Sequence, residues 1–80
     1  MDNAFMIVAG FAFEKVNTPT FGKPYIFITD LKNQQQRAQL ILENGQLIEK
    51  VSTFSDALRQ NKLTQVIALN QEEIRGELSA

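Results

Sequence analysis

The sequence predicts a small α+β domain: a mostly antiparallel sheet of about five strands, one helix packed on a face, and a short C-terminal helix. Three observations lead there. Ala4 to Phe13 is a run without a charge, Asn44-Gly45 sits between two apolar segments, and Phe54, Ala57 and Leu58 recur at helical spacing behind Thr53.

The first run reads as a strand buried on both faces and extending as far as Val16. Side chains alternate along a strand, so Phe5, Ile7, Phe11 and Phe13 fall on one heavy face and Met6, Val8 and Ala12 on a lighter one. Gly10 in its middle marks a bulge or a close approach. No basic segment precedes the run, and Glu14-Lys15 ends it well short of the roughly 20 apolar residues of a membrane span. The expectation is a cytoplasmic protein without a membrane segment.

Residues 17–24 hold two prolines and a glycine and read as a loop, in which Phe21 either tucks under the domain or meets a partner. Tyr25 to Thr29 is β-branched and aromatic, hence a second strand. Residues 31–42 admit two readings: a helix capped by Asp30, or a polar loop followed by a strand over 38–43. The Asn44-Gly45 pair favours the second, because both residues of a two-residue hairpin turn take positive φ. That hairpin would set Leu42 opposite Leu47 and Ala38 opposite Val51. Thr53 and Asp56 resemble a capping box, with Phe54, Ala57 and Leu58 facing inward and Arg59 and Gln60 outward. Thr64 to Leu69 reads as the fifth strand. Asn70 and Glu73 repeat the cap ahead of Ile74 and Leu78, with Gly76 weakening the last turn. Phe27, Leu42, Leu47, Phe54, Leu58, Ile67 and Leu69 join the four heavy residues of the first run in the expected core.

Eighty residues bury only about 60–65% of their unfolded surface, so such a chain usually needs a staple. It has neither cysteine nor histidine, which removes disulfides, thiolate and imidazole metal ligands and the commonest general base. Self-association is the remedy left. Eight basic and nine acidic side chains lean weakly basic in the first half and weakly acidic in the second. Nucleic-acid binders usually carry a clear basic excess, so that class is disfavoured. No nucleophile elbow, phosphate loop, dinucleotide fingerprint or calcium loop is present, and Glu72 and Glu73 would diverge on a helix. We expect no catalytic residue, no metal site and no cofactor.

What remains is binding to another protein. The expected function is a non-enzymatic interaction module: a small regulator, adaptor or inhibitor of the kind common among bacterial and phage accessory proteins. Its candidate partner-binding residues are Phe21, Lys23, Tyr25, Lys32, Gln34 and Arg37, on the loops and on the second strand. One alternative is a structural subunit of a homo-oligomer. The other is a weak single-strand binder stacking bases on Tyr25 beside Lys23, Lys32 and Arg37.

Overall fold

The apolar run at the start of the sequence is two strands rather than one. In the computed structural model, which describes residues 4–17 and 23–79, Ala9 and Gly10 turn the chain at φ 54° and 80°. β1 (Ala4–Val8) and β2 (Phe11–Val16) therefore form a hairpin. Asn44 and Gly45 make the same kind of turn at φ 54° and 79° between β4 (Arg37–Glu43) and β5 (Gln46–Ser52). Such a turn matches the right-handed twist of its strands. Alanine stands at Ala9 where asparagine stands at Asn44, so the cue was visible only in the second hairpin.

The turn also explains a correction to the core. Cross-strand partners share a face, and Val8 pairs with Phe11, so inward positions change parity across the turn. Met6 and Val8 face the core with Phe11 and Phe13, whereas Ile7, expected among them, is 61% exposed. Phe5 keeps contact with the core as the extra residue of a bulge, its ring 6.5 Å from that of Phe13.

β3 (Tyr25–Asp30) pairs antiparallel with both β2 and β4, and the five strands form a simple meander in chain order. Residues 31–36 are turns, so the loop-and-strand reading of that region holds. Leu42 pairs with Leu47 as expected, but Ala38 pairs with Ser52 rather than Val51, because Lys50 is an extra residue in β5. Both edge strands are thus bulged, which shortens the regular edge available to another chain.

Thr64 to Leu69 is not a strand. It is the second half of α1 (Ala57–Leu69). No glycine or proline interrupts residues 57–69, and Arg59, Leu63, Val66, Ile67 and Asn70 lie on one helical stripe. Taking Phe54 as the start of the periodicity rotates that stripe to the wrong side. The cap is Asp56, whose Oδ1 accepts from the N–H groups of Leu58 and Arg59 at 3.0 and 3.2 Å. Leu58 and Leu69, expected in the core, are 81% and 85% exposed, while Arg59 and Gln60 turn toward the sheet. The sheet keeps five strands because the first run supplies two.

α2 (Gln71–Ser79) follows after Asn70, buries Ile74, and continues through Gly76. Glu72 and Glu73 in its first turn suit the helix dipole. The core lies between the sheet and both helices: Phe11, Phe13, Ile26, Ile28 and Leu40 pack against Leu63, Val66 and Ile74.

Candidate functional site

Two polar constellations lie on this framework, and their hydrogen bonding separates them. The first is the wholly buried carboxylate of Asp30, at the end of β3. Arg59 grips it with two bonds, Nε to Oδ2 at 3.1 Å and Nη2 to Oδ1 at 2.9 Å. The Lys32 N–H donates to Oδ1, and Gln36 Nε2 donates to Oδ2. Gln36 Oε1 in turn accepts from the N–H groups of Ser55 and Asp56 at the start of α1. Arg59 also reaches the Ala9 carbonyl at 3.2 Å and lies 4.1 Å above the Phe11 ring. Hydrogen bonds from Arg59 hold the Asp30 carboxyl below its ordinary pKa, against the opposing effect of burial. Each carboxylate oxygen of Asp30 has two donors. This group latches the first hairpin, the 31–36 turns and α1 to one another, and its carboxylate is fully engaged in doing so.

The second constellation is open. Both helices lie on one face of the sheet, so the alternate residues of each strand form a helix-free face. Phe27, Gln39 and Val51 are direct cross-strand neighbours there, with Thr29 and Arg37 in the next row. Between them lies a cleft of about 210 Å³, lined by Phe27, Arg37, Ala38, Gln39, Val51 and Thr53. Phe27 is half-buried and Val51 is 45% exposed. The side-chain oxygen of Gln39 is buried and accepts no hydrogen bond among the described residues. A buried acceptor without a donor costs about 1–3 kcal/mol, so docking that turns the Gln39 amide toward a partner's donor would be favoured. Arg37 anchors the rim through its backbone, accepting and donating with Thr53, and its guanidinium is in none of the ion pairs among the described residues. Apolar walls, an unmet acceptor and a cation suit a peptide segment or another protein's surface.

The six candidate residues do not come together. Phe21 lies outside the described residues. Lys23 and Tyr25 sit at one end of β3, and Lys23 Nζ is engaged with the Leu42 carbonyl at 2.8 Å. Lys32, Gln34 and Arg37 lie at the other end, about 17 Å away along the strand. Arg37 alone lines the cleft. Phe27, expected in the core, lies half-buried on this opposite face, Val51 was expected opposite Ala38, and Gln39 was not singled out from sequence. Cross-strand register unites them, and a single strand's pattern does not contain that information. Among the described residues no three carboxylates gather as a metal site would require, and no helix is long and apolar enough to cross a membrane.

Compared with protein-family models, curated proteins and solved structures, the chain has no significant match in any of the three.

Proposed function

We propose that this chain is a non-enzymatic protein-interaction module, a small cytoplasmic regulator, adaptor or inhibitor, that receives its partner on the helix-free face of the sheet. The observation that carries the reading is the buried, donor-less oxygen of Gln39 in a cleft between Phe27 and Val51, beside the guanidinium of Arg37. Interface cores favour aromatic and arginine anchors, and Phe27 and Arg37 supply one of each. The test is capture of partners by the tagged chain from a bacterial lysate, with and without nuclease, using wild type, Arg37→Glu and Val51→Asp. The reading expects a stoichiometric protein that survives nuclease and is lost with both variants. A catch that vanishes with nuclease, or that both variants retain, refutes it.

Self-association is a second reading, favoured by one observation on α1. Leu58 and Leu69 lie three turns apart on one stripe with Lys62 and Gln65 between them. An antiparallel copy related by a two-fold axis would set Leu58 against Leu69 and Lys62 against Gln65, a self-complementary pattern. Sedimentation equilibrium of wild type and Leu58→Lys decides it: a dimer lost on substitution supports the reading, and a wild-type monomer at high concentration removes it.

A further inference from the structure

A separate surface, on the opposite side of the sheet, carries its own unmet group. Arg75 of α2 has its Nε buried with no acceptor among the described residues, and its Nη2 makes a long hydrogen bond to Gln71 Oε1 at 3.5 Å. None of the ion pairs among the described residues includes it. Arg75 lines a cleft of about 330 Å³ with Leu47 at the start of β5 and Thr64, Ile67 and Ala68 of α1. Leu47, Ile67 and Ala68 make the apolar part of the lining, and Arg75 is its one charged residue beside Gln46 and Gln71.

The backbone beside that cleft is also unpaired on its outer side among the described residues. In a two-residue hairpin the pair flanking the turn, here Glu43 and Gln46, exchanges both hydrogen bonds, and bonded pairs then alternate along the ladder. Leu47 and Glu49 fall at the non-bonded positions, so their N–H and C=O groups point away from β4 to the free edge. The bulge at Lys50 ends this regular stretch.

We propose that the edge of β5 takes one short added strand from a partner peptide, whose acidic side chain enters the cleft and pairs with Arg75. Partner residues opposite Leu47 and Glu49 share the helix-bearing face with them. A carboxylate opposite Glu49 would be repelled, so the acid belongs at the Leu47 end, where Arg75 lies. The added strand supplies backbone pairing, and the arginine supplies selection.

The experiment is a nitrogen-15 NMR titration of the whole chain with a capped hexapeptide of alternating threonine and valine carrying one central glutamate. Its glutamine analogue, sodium acetate and the Arg75→Gln variant complete the set. The proposal expects shifts at the Leu47 and Glu49 amides and at the Arg75 Nε–H. It expects the glutamine analogue to bind about tenfold more weakly, since a charge-assisted bond is lost. Arg75→Gln should bind both peptides equally while its remaining spectrum stays that of the folded protein. Four outcomes overturn the proposal: equal binding of both peptides to wild type, shifts confined to Phe27, Gln39 and Val51, acetate reproducing the full response, or no response at millimolar peptide.

Discussion

Replacing Arg59 by alanine isolates the charge on which the fold depends. The substitution removes both hydrogen bonds to Asp30, the bond to the Ala9 carbonyl and the cation above Phe11. Asp30 stays wholly buried, with only the Lys32 N–H and Gln36 Nε2 left as donors. Breaking a buried pair from one side costs about 3–5 kcal/mol. A second route to the magnitude comes from the proton. A stranded carboxylate can neutralise itself, and holding a group of ordinary pKa near 4 protonated at pH 7 costs about 4 kcal/mol, at about 1.4 kcal/mol per unit. The two figures agree at about 4 kcal/mol, to which loss of the cation over Phe11 adds about 0.5–1 kcal/mol.

A chain of this length has a total stability of only about 4–12 kcal/mol. The expected result is a urea midpoint lowered by about 4–5 M, with m taken near 1 kcal/mol/M, or a chain unfolded in buffer. The pH dependence carries the mechanism. In wild type the folded pKa of Asp30 is depressed below its ordinary 3.8, so its contribution is complete above that value and is lost as pH falls through the folded pKa. In Arg59→Ala the folded pKa rises instead, and the penalty grows as pH rises above the unfolded value. The difference between the two proteins should therefore be largest at pH 7 and shrink toward pH 4. Asp30→Asn combined with Arg59→Met removes both charges and should recover most of the loss. An unchanged midpoint, a penalty independent of pH, or a double variant no better than Arg59→Ala would refute the reasoning.

The remaining predictions follow from the helix phase and the turns. Leu63→Ala should cost about 2–5 kcal/mol by emptying the core, while Leu58→Ala and Leu69→Ala should stay within about 0.5 kcal/mol; urea denaturation of the three separates this register from the strand reading of 64–69. Ala9→Asn should stabilise by about 0.5–1 kcal/mol, because asparagine tolerates φ 54° better than alanine; a midpoint that falls would argue against the turn. Gly10→Ala should cost more than Gly45→Ala, since both positions need φ near +80° but the new Cβ at Gly10 would also lie 3.2 Å from Arg59 Nη2. Equal midpoints for the two variants would remove the contact from the account.

The α+β class was legible because local signals carried it. Asn44-Gly45 announces its hairpin by composition, and Tyr25 to Thr29 by β propensity. Two misreadings came from phase. Ala9-Gly10 lacks the asparagine that identifies its counterpart, so the first hairpin looked like one long strand and Ile7 like core. On α1, the inward stripe contains Arg59 and Gln60, which belong inside only because Asp30, Glu49 and Ser52 await them there. A pattern that counts apolar residues starts from Phe54 instead and turns Leu58 inward, and reading the β-branched residues of 64–69 as a strand put Leu69 in the core. The cleft was less legible still. Arg37 was singled out for its charge beside a polar loop, but Phe27, Gln39 and Val51 become neighbours through the register of three strands, including the bulge at Lys50.

The central claim is that the helix-free face is the working surface of this chain. Its most direct test is a photo-activated crosslinking amino acid placed at Val51, or at Lys62 on the exposed side of α1, with adducts formed in bacterial cells and read by mass spectrometry. The account predicts a nuclease-resistant protein adduct at position 51 and none at 62. An adduct at 62 alone, or nucleic acid as the species joined at 51, would contradict it.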